Sequence, residues 1–160
     1  MSYAISRRGV RTATAIGAVS LGLLALSACE KPTPMATATV NGESVSVEAS
    51  CYEGGKTIPS GQVKECLGKK AEKSVKVGPG DKVRFGVDPD IAKDGWFLVS
   101  DNKTTPLPQP TKKTYHSFPG DAFFQQQSAM GQPGPPKKEA QVTIGTATGV
   151  WHVKLINDDA

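Results

Sequence analysis

Histidine and cysteine are scarce in this chain, with two histidines and three cysteines among 160 residues. The sequence has no Cys-x2-Cys pair, no Gly-x-Ser-x-Gly and no His-Glu-x-x-His, and neither histidine is placed to serve a serine nucleophile. Zinc and serine hydrolases need such groupings because several side chains must hold the metal or activate the nucleophile together. We therefore expect that the protein is not an enzyme and carries no cofactor.

The sequence also lacks an apolar run long enough to cross a membrane as a helix. Residues 13–26 are almost all apolar or small, which is short of the roughly 20 residues that a spanning helix needs. Arg7, Arg8 and Arg11 precede this run, and no acidic residue accompanies them. A basic segment followed by a short apolar one is typical of an export signal. The arginines also resemble a twin-arginine signal. Both the twin-arginine route and the Sec route are therefore compatible with this segment.

The apolar run ends in a short motif at Cys29. Leu26, Ser27 and Ala28 precede this cysteine, and the four residues resemble the lipobox of bacterial lipoproteins. In a lipobox the cysteine thiol takes a diacylglyceryl thioether, and a peptidase then cuts the chain before the cysteine. We predict that Cys29 is the site of lipidation.

This processing predicts the domain organisation and the location of the protein. Residues 1–28 would be a lipoprotein signal peptide, residues 29–35 a lipidated tether, and residues 36–160 a single domain. Two acyl chains, such as palmitate, would contribute on the order of 20 kcal/mol to membrane binding. We expect the mature protein to be held by its lipid at the extracytoplasmic face of the cell membrane.

Little net charge remains once the predicted signal peptide is removed. The whole chain has a formal net charge of +4, and three of its arginines but none of its acids lie before residue 29. The lysines that follow are in short, separate clusters. Nucleic-acid binding needs a continuous basic face, so we expect no nucleic-acid partner. The expected partners are the membrane, through the lipid anchor, and an envelope protein or a cell-wall polymer.

Lipidation of Cys29 leaves one pair of cysteines, Cys51 and Cys66. An even pair in an oxidising compartment predicts a disulfide. Closing a loop of about 15 residues contributes roughly 3 kcal/mol in the chain-entropy model. A metal site and a redox couple are the alternatives, but Cys-x2-Cys spacing is missing and no histidine lies near in the sequence.

Short alternating segments separated by turn residues dominate the rest of the chain. Asn41 and Gly42, between residues 37–40 and 44–49, predict a hairpin. Residues 74–77 and 82–87 predict a second hairpin, and residues 141–146 and 150–156 a third. Alternation places Val75, Val77, Val83, Phe85 and Val87 of the second hairpin and Trp151, Val153 and Leu155 of the third in the core, while His152 and Lys154 face outward.

The fold class follows from these segments and four others. Residues 60–67 are expected to form a helical turn carrying Cys66, residues 88–95 a polar loop, residues 96–100 a strand buried on both faces, and residues 112–118 a strand after a proline-rich connector. Short strands at a spacing of about 8–12 residues, with no long helical period, predict an all-β fold. We predict an immunoglobulin-like β-sandwich of about seven or eight strands, with a cupredoxin-like barrel as the alternative.

The barrel alternative brings a metal-binding hypothesis with it. A cupredoxin copper site needs two histidines, a thiolate and usually a methionine, and the chain offers His116, His152 and Met130. The thiols of Cys51 and Cys66 are assigned to the disulfide, so we predict no metal ligands. A metal-binding lipoprotein is the second hypothesis for the function.

Four aromatic residues, Tyr115, Phe118, Phe123 and Phe124, are close in the sequence and are followed by three glutamines. Asp121 is expected to cap a short helix that turns one of the last two phenylalanines into the core and leaves the other outside. One interpretation is ordinary core packing. The other is an exposed platform that binds a protein, a lipid or a wall glycan, and these four residues are the candidate binding surface.

Several segments resemble a family of actinobacterial secreted lipoproteins known only as a domain of unknown function. The segments that carry the resemblance are residues 23–37, Cys51, residues 86–92, Gly95 with Trp96, and residues 119–124 and 149–155. The resemblance covers most of the mature chain and implies a location and a compact domain, but no reaction. We expect a membrane-anchored extracytoplasmic lipoprotein with a non-enzymatic binding or scaffolding role in the cell envelope.

Overall fold

The computed structural model describes residues 32–101, 106–126 and 134–159. Cys29, the predicted signal peptide and Met130 lie outside these residues. Over the described residues the chain forms ten strands, two α-helices and one 3₁₀ helix at Gly120–Phe123. The elements are β1 (Ala36–Val40), β2 (Glu43–Val47), β3 (Ala49–Tyr52), α1 (Ser60–Gly68), β4 (Ser74–Val77), β5 (Lys82–Val87), α2 (Pro89–Asp94), β6 (Trp96–Ser100), β7 (Leu107–Thr111), β8 (Tyr115–Pro119), β9 (Glu139–Gly145) and β10 (Gly149–Asn157).

The strands form two sheets. Sheet A has the order β2-β1-β5-β8, and sheet B has the order β3-β10-β9-β6-β7, with β4 also paired to β10. The pairing of β4 with β10 is parallel, whereas the other paired strands are antiparallel. The predicted all-β sandwich is confirmed, with ten strands among the described residues where about seven or eight were expected. The barrel alternative is wrong, because the two sheets do not close on each other.

The core lies between the sheets and follows the alternation of the strands. In sheet A, β1 turns its alanines and Val40 inward, and β5 turns Val83, Phe85 and Val87 inward. Sheet B contributes Trp96 and Trp151, both with no exposed surface. Since the side-chain period of a strand is two, each inward residue leaves its neighbour on the outer face. The outer face of sheet A is therefore formed by the polar half of each strand.

Two of the three predicted hairpins are confirmed. Strands β1 and β2 pair through Asn41 and Gly42, whose positive φ angles of 49° and 86° suit a tight hairpin turn. Strands β9 and β10 pair along most of their length. The hairpin of β4 with β5 is wrong, because β4 pairs with β10 and β5 pairs with β1 and β8.

The turn between β4 and β5 is nevertheless present. The Asp81 N–H donates to the Gly78 carbonyl oxygen at 3.2 Å, and the Asp81 carboxylate accepts a hydrogen bond from the Gly78 N–H at 2.8 Å. The turn carries the chain from sheet B to sheet A instead of folding it back within one sheet. The inward side chains of both strands still reach the core, because the core lies between the two sheets.

Four other segments carry local predictions, and the structure differs from three of them. The proline-rich connector contains β7, which is the last strand in the order of sheet B among the described residues. Prolines in such an edge strand cost no ladder hydrogen bond. The expected polar loop at residues 88–95 contains α2, with a proline in its first turn and with Ile91 and Ala92 buried. Strand β6 alternates between buried and half-buried residues, so it is not buried on both faces. The predicted helical turn around Cys66 is confirmed as α1.

No helix among the residues that the structure describes has both the length and the apolar character needed to cross a membrane.

Candidate functional site

The predicted disulfide between Cys51 and Cys66 is confirmed. It joins β3 to α1 with a Cα–Cα separation of 5.7 Å. Cys66 is buried with Ile58 and Val150 in a small second cluster on the outer side of sheet B. The disulfide therefore ties α1 to β3, which pairs with β10, the strand that carries His152.

His152 is buried, with 2% of its surface exposed, so the prediction that it faces solvent is wrong. It does point away from the main core, but α1 covers it. Its Nε2–H donates to the Cys66 carbonyl oxygen at 2.9 Å, since a carbonyl can only accept. Its Nδ1 then accepts from the Thr143 hydroxyl at 2.9 Å, with the Gln141 amide 3.5 Å away. Both ring nitrogens are occupied within the protein.

Burial lowers the pKa of His152 below its ordinary value of 6.5. The hydrogen bond to Cys66 acts in the opposite direction, and the nearby Lys69 ammonium lowers the pKa further. The unfolded chain, whose histidine keeps the ordinary pKa, therefore binds a proton at a higher pH than the folded chain does.

We expect acid to destabilise the fold through His152. Stability should be full above about pH 6.5 and should fall, by at most about 1.4 kcal/mol per pH unit, until the pH reaches the lowered pKa of the folded state. Urea unfolding at a series of pH values measures this slope. The matched variant is His152→Gln, whose amide can donate but cannot be protonated. An equal slope in the variant between pH 6.5 and pH 5.5 would contradict the prediction.

A cleft of about 230 Å³ lies beside His152 at the edge of sheet B. Around it, the ammonium of Lys69 donates to the Ser50 carbonyl oxygen, and that of Lys73 donates to the Ser46 carbonyl oxygen. Gln141 holds the segment after α1 by donating to the Lys69 carbonyl oxygen at 2.9 Å and accepting from the Ala71 N–H at 3.0 Å. These lysine and glutamine side chains thus bind backbone groups around the cleft, and we interpret them as supports for α1. The residues lining the cleft are Val47, Glu48, Ala49, Ser50, Glu72, Lys73 and His152.

The two histidines of the metal hypothesis lie on different sheets. His116 points inward from β8, where its ring contacts Trp96 and Phe118 and its Nε2 lies 3.1 Å from the Thr111 hydroxyl. His152 lies on the other side of sheet B, beneath α1. Within residues 32–101, 106–126 and 134–159, no three histidine, cysteine, aspartate or glutamate side chains gather as a metal ion would require.

The four aromatic residues of the candidate binding surface do not form one platform. Phe123 and Phe124 are 0% and 2% exposed, so the expectation that one of them faces outward is wrong. The 3₁₀ helix turns Phe123 against Phe85 and Phe118, with ring centroids 5.6 and 6.1 Å apart. Phe118 is half-buried on the inward side of β8, and Tyr115, 58% exposed, points outward from the same strand. Tyr115 alone stays available to a ligand.

Tyr115 belongs to a polar surface, which we call the outer face of sheet A. The strand registers arrange its side chains in two cross-strand rows that run over all four strands. The first row is Ser44, Thr39, Arg84 and Ser117, and the second row is Ser46, Thr37, Gly86 and Tyr115.

Hydrogen bonds and a cation–π contact order this surface. The hydroxyls of Thr39 and Ser44 are 2.8 Å apart, and the equivalent pair in the second row is 3.0 Å apart. The Arg84 guanidinium lies over the Tyr115 ring, 5.3 Å from its centroid, and its Nε donates to the Ser117 hydroxyl at 3.4 Å. The guanidinium is thus in contact with the ring, and Arg84 as a whole is an exposed residue.

Gly86 interrupts the second row between Thr37 and Tyr115. A Cβ added there would meet only one atom within 4 Å, the Thr114 carbonyl oxygen at 3.8 Å. The flanking strands β1 and β8 lie on either side of β5 with their backbones about 10 Å apart, and no side chain stands between Thr37 and Tyr115 in this row. We call this unfilled position, which has Arg84 two residues before it on β5, the Gly86 notch.

The sequence contains a signal for this surface in the position of Arg84. Arg84 is the only arginine after residue 11. It alternates with the buried Val83 and Phe85, so its outward direction follows from the same pattern that placed those residues in the core. Its nearness to Tyr115 does not follow from that pattern, because it depends on which strands become neighbours.

The start of the folded domain is fixed by three hydrogen bonds. The Trp151 Nε1–H donates to the Pro34 carbonyl oxygen at 2.8 Å. The Met35 N–H donates to the Asp88 carboxylate at 2.8 Å, and the Asp88 N–H donates to the Met35 carbonyl oxygen at 3.1 Å. The last two residues of the predicted tether are thus bound to the sandwich.

No protein-family model, no curated protein and no solved structure matches the chain.

Proposed function

We propose that this chain is a lipid-anchored extracytoplasmic protein of the cell envelope, which binds another envelope component through the outer face of sheet A and catalyses no reaction. The observation that carries the binding role is the order of this face. Its two rows present hydroxyls, a guanidinium and an aromatic ring in a register set by four paired strands. A rigid sheet positions such groups more accurately than loops do.

The chemistry of the outer face suits binding better than catalysis. Its strand positions carry serine and threonine hydroxyls, the Tyr115 phenol, the Arg84 guanidinium and the Lys82 ammonium. Hydroxyls, a guanidinium and an ammonium act here as hydrogen-bond donors, and no histidine or carboxylate stands at these strand positions to serve as a general base. A serine nucleophile would need such a base beside it.

The proposed anchor limits how far the domain reaches from the membrane. From Cys29 to Pro34, where Trp151 binds the chain, an extended backbone spans at most about 18 Å. The domain would therefore stay close to the lipid headgroups. An envelope component within that distance is the ligand that this proposal requires.

The anchor is tested by Cys29→Ser. We expect the wild-type protein in the membrane fraction and in the detergent phase after phase separation, because the acyl chains contribute on the order of 20 kcal/mol. The variant should be lost almost completely from both. The control is Cys51→Ser with Cys66→Ser, which removes two thiols but leaves the lipidation site. Wild-type partitioning of the Cys29 variant would contradict the anchor.

A further inference from the structure

Three features of the outer face restrict the chemistry of its ligand. At the outward strand positions of sheet A, Lys82 and Arg84 are cations, and no aspartate or glutamate stands among them. The other outward positions carry serine and threonine hydroxyls, the exposed ring of Tyr115, and Pro119. The Gly86 notch is an unfilled position beside the ring, on the same strand as the guanidinium.

These features favour a sugar polymer over a protein partner. The centre of a protein–protein interface is commonly apolar, whereas the outward strand positions of sheet A carry mainly hydroxyls, with Tyr115 as the only large exposed apolar side chain. Rows of hydroxyls act as both donors and acceptors, as sugar hydroxyls do, so each can satisfy the other. An aromatic ring offers a flat apolar surface to the apolar face of a sugar ring.

The cations define the charge of this polymer. A guanidinium binds a carboxylate with two parallel hydrogen bonds, and Arg84 is an exposed residue whose guanidinium contacts the Tyr115 ring. Lys82 lies two residues away on the same side of β5 and adds a second positive charge. Because the exposed charges act only within about 8 Å at physiological salt, an anionic group must sit on this face to benefit from them.

We propose that the outer face of sheet A binds a carboxylated polysaccharide, with one sugar ring in the Gly86 notch. The ring packs beside Tyr115, its carboxylate pairs with Arg84, and the neighbouring sugars hydrogen-bond to the serines and threonines of β1 and β2. The four strands give the face a width of about 14 Å, enough for more than one sugar. This assignment of a ligand class rests on the binding function proposed above.

The test measures binding of polygalacturonate to the full-length protein extracted from membranes in an uncharged detergent. Isothermal titration calorimetry with wild-type protein is expected to show binding to polygalacturonate and none to neutral dextran. Arg84→Ala and Tyr115→Ala should each weaken binding about tenfold or more, since a charged hydrogen bond or an aromatic contact is lost. Lys76→Ala removes an exposed cation of sheet B, paired with Asp158, and should bind as wild type does.

Gly86→Val tests the notch without removing a binding group. The φ angle of Gly86 is not positive, an added Cβ would make only an ordinary contact with the Thr114 carbonyl oxygen, and valine favours strands, so this variant should unfold at the wild-type urea concentration or a higher one. Its side chain fills the notch, and we expect affinity to fall about tenfold. Wild-type affinity in this variant would overturn the placement of the sugar.

Poly-L-glutamate and dextran test the recognition of the sugar and the recognition of the carboxylate separately. Equal binding of poly-L-glutamate and polygalacturonate would overturn sugar recognition, because only charge would then be recognised. Binding of dextran as tightly as polygalacturonate would overturn the role of the carboxylate. No binding of polygalacturonate by the wild type would overturn the ligand class, and the anchor would still be judged separately by the fractionation of Cys29→Ser.

Discussion

Replacement of Cys51 and Cys66 by serine is expected to lower the free energy of unfolding by about 3 kcal/mol. The bond closes a loop between positions separated by 15 residues and joins β3 to α1. Loss of the bond raises the conformational entropy of the unfolded chain more than that of the folded chain. In the chain-entropy model the main effect is therefore entropic. Urea unfolding of the variant and the wild type, both in a Cys29→Ser background, measures the difference.

Reduction of the wild-type protein is the matched control for this prediction. Dithiothreitol should reproduce the loss of stability in the wild type and should leave the double variant unchanged. Because the disulfide holds α1 over His152, the acid-dependent loss of stability should also become smaller in the variant. Equal unfolding midpoints for oxidised wild type and double variant would show that the disulfide does not stabilise the fold.

Replacement of Trp151 by alanine should cost about 3–5 kcal/mol, as truncation of a large core side chain commonly does. The indole has no exposed surface, and its ring packs so closely over Gly149 that a Cβ there would lie 2.4 Å from Cη2. The variant would leave a cavity and would also leave the Pro34 carbonyl oxygen without its donor. The measurement is the free energy of unfolding in urea.

Two companion variants identify the origin of the Trp151 effect. Trp151→Phe keeps much of the ring but not the N–H, so it should be destabilised less and should show faster hydrogen exchange at Met35, which follows Pro34. Val63→Ala truncates an exposed residue of α1, 38% exposed, and should change stability little. A loss below 1 kcal/mol for Trp151→Ala would contradict the close packing of this ring.

The direction of side chains was more predictable than the pairing of strands. Val75, Val77, Val83 and Phe85 are all buried as predicted, although the hairpin expected to contain them does not exist. Alternation depends only on the strand itself, whose side chains point to opposite faces in turn. The partner of a strand depends on distant segments, and a turn such as the one at Gly78 can serve either a hairpin or a crossing between sheets.

The same limit of prediction from local sequence applies to the burial of His152 and of the two phenylalanines. Alternation placed His152 outside the main core, and that direction was right, but α1 covers the position and makes it buried. Phe123 and Phe124 are adjacent, so a strand or helix pattern would separate them. The 3₁₀ turn instead brings both under cover.

By itself the sequence determined the sides of the strands, the Asn41–Gly42 turn and the single cysteine pair available for a disulfide. Each of these depends on neighbouring residues or on a count of residue types. Only the tertiary structure decided that β4 crosses to β10, that α1 covers His152, and that Arg84 lies over Tyr115 beside Gly86. Those contacts join residues distant in the chain, and they form because the two sheets must bury their apolar faces together.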